Sequence, residues 1–192
     1  MNNKVDIKKS ETLSKEKYTL KKVTFERTAT DGKSEEHKNE VYDMGDAVTV
    51  LLYNPQHRTI ILTKQFRLPS YLNGNKTGML IEACAGKIEN ESPQESIKRE
   101  IEEETGYKVS AVKKIFEAYS SPGTITELLH FFVAEYSEAM KVSEGGGLKE
   151  EKEDVEVIET SFEEAIQIID TGEIKDAKTI ILLLYAQRHL FS

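Results

Sequence analysis

"GKIENESPQESIKREIEEETGY", Gly86 to Tyr107, decides how this chain is read. Ser92 stands as an N-cap, Pro93 at the first helical position and Glu95 where a capping box is completed, so a helix starts here. Gly106 ends it in a left-handed cap. Ile97 and Ile101 share one face and dock the helix on the rest of the fold. The difficulty lies in its last turns, which hold four glutamates. Acids near a helix C-terminus cost about 0.3–1 kcal/mol each when exposed, and neighbouring acids repel. On a helical wheel Glu103, Glu100 and Glu104 form a stripe about 100° wide beside the strand end at Ala85-Gly86. Arg99 lies one turn before Glu103, and Glu102 points to water. Such a concentration of acids breaks a local rule, as sites do. A solvated acidic face is the bland reading of "EIEEE" alone; oxygen ligands for a cation are the sharper one.

The rest of the composition narrows the chemistry. The chain has 192 residues, 38% hydrophobic and 31% charged, as expected of a globular protein with an ordinary core. A net charge of −8 argues against nonspecific nucleic-acid binding. "IILLLY" (Ile180 to Tyr185) is too short to span a membrane, and "MNNKVDIKKSE" has no signal-peptide core, so a cytoplasmic location is expected. Cys84, the single cysteine, excludes an internal disulfide and reads as core packing. The four histidines are scattered, which disfavours zinc or iron, whereas clustered carboxylates favour magnesium, with manganese the alternative. His130, in "LLHFFV", reads as a satisfied sheet histidine.

Working outward, "KYTLKKVTFERTATDGKSEEHKNEVYD" alternates around Asp31-Gly32 and predicts two antiparallel strands. "AVTVLLYNPQHRTIILTKQFR" predicts a second hairpin, and "YLNGNKTGML" a loop. "LIEACAG" is a short strand running into the acidic segment. "YKVSAVKKIFEAYSS", "TELLHFFVAEY" and "VEVIE" add strands. "SEGGGLKEEKED" reads as a mobile charged loop, because three glycines favour no single conformation. Ser161 to Asp170 forms a helix with Ser161 and Glu164 as a capping box, and a last helix starts at Asp176. The expectation is an α/β fold, a mixed β-sheet packed between helices, with an antiparallel β extension over residues 1–43 and the main domain over 44–192.

The ordered run Gly86, Glu91, Arg99-Glu100-Ile101, Glu103-Glu104, Gly106-Tyr107 resembles the Nudix box of the Nudix hydrolases. One departure is visible: four residues separate Gly86 from Glu91 where the usual pattern has five. Further stretches ("EVYDMGDAVTVLLYNP", "KQFRLPSYLNGN", "SPGTITELLHFFVAEY" with Pro122, and "TGEIKDAKTIILLLYAQ") resemble the nucleoside-diphosphosugar branch, from about Tyr18 to the end. That resemblance implies a magnesium-dependent hydrolysis of GDP-mannose to GMP and mannose 1-phosphate, with ADP-ribose the alternative substrate. It also implies a homodimer with swapped N-terminal strands. Metal would be held by the Ala85 carbonyl, Glu100, Glu104 and a loop acid, matched to Glu153, with Glu150 or Glu151 as alternatives because "LKEEKED" carries a two-residue insertion. Substrate contacts map onto Lys17 (or its neighbour Tyr18), Lys38, Asn39, Glu40, Arg67, Ala85, Gly86, Lys87, Glu104, Glu127, Lys152, Glu153 and Lys178. Asn39 stands where an arginine is expected. The proton acceptor is left open among Glu103, Glu127 and Glu153.

Overall fold

A computed structural model describes residues 4–148, 150 and 153–192. The chain divides into two units, Met1–Asp46 with Tyr119–Leu128, and Ala47–Ala118 with Leu129–Ser192.

The first unit is built on a three-stranded antiparallel sheet in the order β1 (Val5–Lys15), β2 (Thr19–Thr28), β3 (Ser34–Asp43). The β2–β3 hairpin follows from the alternation and the Asp31-Gly32 turn, where Gly32 takes φ +84° and Asp31 Oδ1 accepts from the Lys33 amide at 3.0 Å. The sequence predicts only these two strands. β1 is a third, with almost every residue exposed and two register shifts against β2, so it carries no alternation to read. Residues 119–128 attach at the end of β3: the Tyr42 amide donates to the Thr124 carbonyl and the Thr126 amide to the Tyr42 carbonyl, 2.8 and 3.2 Å.

The second unit is a mixed seven-stranded sheet with helices on both faces, in the order β10 (Glu156–Ser161), β5 (Thr59–Phe66), β4 (Ala47–Asn54), β9 (Leu128–Glu135), β8 (Lys113–Tyr119). β4 and β9 are parallel and the other registered pairs antiparallel. β4 is buried almost throughout because both its faces are covered, which explains why all but Thr49 and Asn54 are apolar or aromatic. Leu51, Ile60 and Leu62 pack with Phe162, Ala165, Leu182, Leu183 and Ala186 of α3 (Phe162–Asp170) and α4 (Ala177–His189). Val50, Leu52, Ile61 and Phe132 pack on the opposite face with Ile97 and Ile101. No described helix is long and apolar enough to cross a membrane.

One irregularity positions the site. β4 and β5 pair only through Leu52–Asn54 with Thr59–Ile61; beyond that, β5 pairs with β6 (Met79–Glu82) and β4 with β7 (Cys84–Lys87). The expected single strand "LIEACAG" is therefore broken at Ala83. The expected loop before it contains part of a short helix, α1 (Leu68–Leu72), with Pro69 in its first turn. Of the Ser161–Glu164 capping box, the Ser161 half is present, accepting from the Glu164 amide at 3.2 Å; the Glu164 carboxylate instead takes the Thr160 hydroxyl.

Candidate active site

The acidic helix begins as its sequence predicts. α2 (Pro93–Glu100) has Ser92 as N-cap, and Ser92 and Glu95 exchange both capping-box hydrogen bonds. Its end differs. From Ile101 to Thr105 the backbone widens into a π-helical turn, so the regular wheel stops at Glu100. Thr105, fully buried, donates its hydroxyl to the Ile101 carbonyl at 2.6 Å, and Gly106 closes the turn at φ +76°. Such turns recur at functional sites because they redirect side chains that a uniform helix would aim elsewhere.

The acids are thereby sorted by depth. Glu102 is exposed and pairs with Lys108 at 3.1 Å. Glu103 pairs with Arg99 at 2.7 Å. Glu100 is largely buried, and Glu104 is 3% exposed. Both lie against β7. A Cβ at Gly86 would overlap the Glu100 carboxyl, so only glycine lets that carboxylate rest on the strand. The Ala85 amide donates to Glu104 Oε2 at 3.3 Å, and the Cys84 thiol hydrogen-bonds the same carboxylate. Cys84 is thus a core residue, as expected, with one polar contact.

Arg99 is the cation shared by this cluster. Its guanidinium meets Glu91 at 3.0 Å, Glu100 at 2.9 Å and Glu103 at 2.7 Å. Glu91 therefore keeps a place in the site despite the shortened loop. One cation against so many carboxylates leaves negative charge uncompensated. Burial pushes Glu100 up to about 7 against the opposing charge of Arg99, with repulsion from Glu104 and Glu103 adding to the rise. Burial likewise pushes Glu104 up to about 7, against the Cys84 and Ala85 hydrogen bonds and with repulsion from Glu153 adding to it.

The triple-glycine segment is not the unordered loop its composition suggests. Gly145, Gly146 and Gly147 all take positive φ, and the Gly146 and Gly147 amides donate to the carbonyls of Glu104 and Glu103 at 2.9 and 3.0 Å. These carbonyls lack partners within their own turn, so the glycines finish the helix end. A Cβ at Gly147 would meet Glu153 Oε2 at 2.6 Å, and that oxygen accepts from the Leu148 amide at 3.0 Å. Glu153 is held near the buried acids in this way.

A second cluster lies along the broken strand. Glu82, at the end of β6, receives Arg67 Nε and Nη2 at 2.9 and 2.8 Å and Lys178 Nζ at 2.9 Å. Arg67 and Lys178 thus meet on a buried carboxylate. The sign that marks Glu82 in the sequence is a glutamate inside the otherwise apolar "MLIEACA". Arg67 and Glu104 lie close enough for each to shift the other's ionisation.

The second unit therefore assembles Arg67, Ala85, Gly86, Lys87, Glu100, Glu103, Glu104, Glu153 and Lys178. The remaining candidates lie in the first unit. Lys38, Asn39 and Glu40 follow one another on β3, and Lys38 pairs with Glu36 at 3.2 Å. Lys17 Nζ sits 5.9 Å from the centre of the Tyr18 ring, and Glu127 accepts from the Ser120 hydroxyl at 2.7 Å. Lys152 and Glu151 fall outside the described residues. His130 is not satisfied as expected: its Nδ1 has no hydrogen-bond partner among the described residues, and Glu117 Oε2 approaches only to 3.4 Å.

These donors fit a hard divalent cation by chemistry: mutually repelling carboxylates, two of them buried, beside a strand backbone opened by Gly86. Among the described residues no three such side chains already converge on one point, and Glu100 Oε1 is turned to Arg99. A cation there would compete with Arg99 for Glu100.

The raised carboxyls set a pH dependence. An acid whose folded pKa is raised from about 4.5 to about 7 carries no penalty while protonated in both states, and the penalty accumulates as pH rises through that window. With divalent ions chelated, Glu104→Gln is expected to be more stable than the wild type at pH 8, by on the order of 1–3 kcal/mol. The difference should shrink as pH falls through this window and vanish only below about pH 4, as thermal unfolding across the range will show.

Comparisons with known proteins agree with this geometry. The family described as NUDIX domain matches residues 43–183, and the one described as GDP-mannose pyrophosphatase NudK N-terminal domain matches residues 4–42. Proteins named GDP-mannose pyrophosphatase from Escherichia coli O1:K1 and from the K12 / DH10B strain are each 47% identical over 187 residues, covering 97% of this chain and 97% of theirs. A solved structure titled "Crystal structure of ADP compounds hydrolase" shares the fold at 16% identity, with a TM-score of 0.73 over 97% of this chain and 94% of that one. With a matching sequence family over most of its length and the acidic helix, glycine cradle and broken strand in place, the chain belongs to the Nudix hydrolases.

Proposed function

We propose that this chain hydrolyses the diphosphate linkage of GDP-mannose, releasing GMP and mannose 1-phosphate, as a magnesium-dependent cytoplasmic enzyme. The observation that carries this reading is the 47% identity to GDP-mannose pyrophosphatases along 97% of both chains. The residues that would hold Mg2+ are the Ala85 carbonyl, Glu100, Glu104 and a loop acid, Glu153 or its alternatives Glu150 and Glu151, and the ion would supply charge neutralisation to the diphosphate and acidify a water.

The chain's own residues do the rest. Arg67 and Lys178 present cationic donors to phosphate oxygens, where a fixed guanidinium stabilises developing charge. Lys87 and Lys152 add cationic contacts. Glu103, Glu127 and Glu153 are the candidate proton acceptors; Glu103 is held by Arg99 and Glu127 by Ser120. Base and sugar recognition is assigned to Lys17 or Tyr18, Lys38, Asn39 and Glu40. A site that hydrogen-bonds one base rejects another strongly, since the wrong base leaves buried polar groups unpaired. The residues of the first unit are proposed to act in a homodimer that exchanges its N-terminal strands, a reading supported by Val5, Ile7 and Leu13 exposed on β1.

Three measurements test this reading. Across a panel of nucleotide sugars with Mg2+, GDP-mannose should show a clearly higher kcat/KM than ADP-ribose, and Glu100→Gln should lower turnover by orders of magnitude in a folded protein. A preference for ADP-ribose would assign the same site to that substrate. Deleting residues 4–42 should yield monomers with impaired substrate binding, read by light scattering and KM; a fully active monomer would refute shared sites.

A further inference from the structure

Glu82 is only 2% exposed, yet three of the hydrogen bonds to it come from cations. Arg67 engages it with two parallel bonds from Nε and Nη2, a fork that fixes the plane of the guanidinium. That leaves Nη1 without a hydrogen-bond partner among the described residues, on a side chain that is 41% exposed. Lys178 Nζ is held between Glu82 and Asp176 Oδ1, 2.9 Å from each. Asp176 is itself fixed, because it caps α4 by accepting from the Thr179 amide at 2.9 Å and hydroxyl at 2.6 Å. The circuit closes on the strand, where the Ala83 amide donates to Thr179 Oγ1 at 2.7 Å.

Two cations face two anions here, so the cluster is neutral and does not attract phosphate as a bulk positive patch would. What it offers is geometry. Burial pushes the Glu82 carboxyl up, but the Arg67 hydrogen bonds and the Lys178 and Arg67 charges hold it below the usual range, so the fork stays charged on both sides.

We propose that Glu82 is a positioning residue for the diphosphate: through its fork to Arg67 and its bond to Lys178 it aims both cations at the anionic oxygens without touching substrate itself. This rests on the reading that a nucleoside diphosphosugar is the substrate. It also gives the break between β6 and β7 a purpose, since Glu82 ends one strand while Cys84 to Lys87 begin the backbone beside the acids.

The test is a mutant cycle. Glu82→Gln keeps the shape and removes the charge, and it should lower kcat/KM at least tenfold for whichever nucleotide sugar the wild type cleaves fastest. In an Arg67→Ala/Lys178→Ala background the same change should cost less than threefold, because Glu82 then has nothing to aim. Arg67→Lys, which keeps charge and loses the fork, should lose nearly as much as Arg67→Ala. Binding of GDP to the wild type and to Glu82→Gln, followed by calorimetry, should weaken in parallel with kcat/KM. Equal losses in both backgrounds, unchanged kinetics in Glu82→Gln, or full activity in Arg67→Lys would each overturn the proposal. If the wild type cleaves no nucleotide sugar, the functional reading has failed, and unchanged GDP affinity in Glu82→Gln would overturn the positioning role as well.

Discussion

Two carboxylates pressed against a strand backbone without enough counter-charge are the constraint from which the second unit follows. Glu100 and Glu104 can be buried there only because Gly86 has no side chain and the Ala85 amide offers a donor. The burial in turn requires that α2 be clamped. Ile97 and Ile101, fully buried under the sheet, supply the apolar anchor, and the Ser92–Glu95 capping box fixes where the helix starts. The glycine run supplies the other end by occupying the carbonyls of Glu103 and Glu104. Unpaired buried charge is costly in any fold. The cost is tolerated here beside the residues that would hold a divalent cation, which is what the resemblance to Nudix enzymes leads one to expect.

The neighbouring Glu82 cluster shows the opposite solution. It is buried more deeply than Glu100, yet its carboxyl is held below the ordinary range because Arg67 and Lys178 compensate it. Glu100 and Glu104 are pushed the other way by burial, with Glu104 and Glu103 adding to the rise at Glu100 and Glu153 to that at Glu104. Two carboxylate environments with opposite ionisation thus flank the same break in the sheet. One is balanced within the protein. The other is not.

Much of this was legible in the sequence where a residue's role is local. Ser92, Pro93, Glu95 and Gly106 mark the helix because caps depend on near neighbours, and Ile97 with Ile101 mark its buried face by spacing alone. The hairpin of β4 and β5 shows in two β-rich runs joined by "NPQH". The π-helical turn does not show, because it depends on how the helix end meets the glycine segment rather than on any propensity of "IEEET". β1 escapes for a related reason: an exposed strand paired on one side needs no alternating pattern. Glycines 145–147 look flexible by composition and are instead selected for positive φ against another element's backbone. Glu82 stands out as an acid in an apolar strand, but its partners lie 15 and 96 positions away, beyond any local rule.

The central claim is that the charge gathered at Glu100 and Glu104 is matched to a divalent cation. It is tested most directly by thermal unfolding of chelator-treated protein as Mg2+ is added, for the wild type and for Glu100→Gln/Glu104→Gln. A cation that binds only the folded state raises Tm with its concentration. The wild type should gain several degrees on this basis and the double variant should gain none. A wild-type Tm indifferent to Mg2+, or equal gains in both proteins, would contradict the assignment.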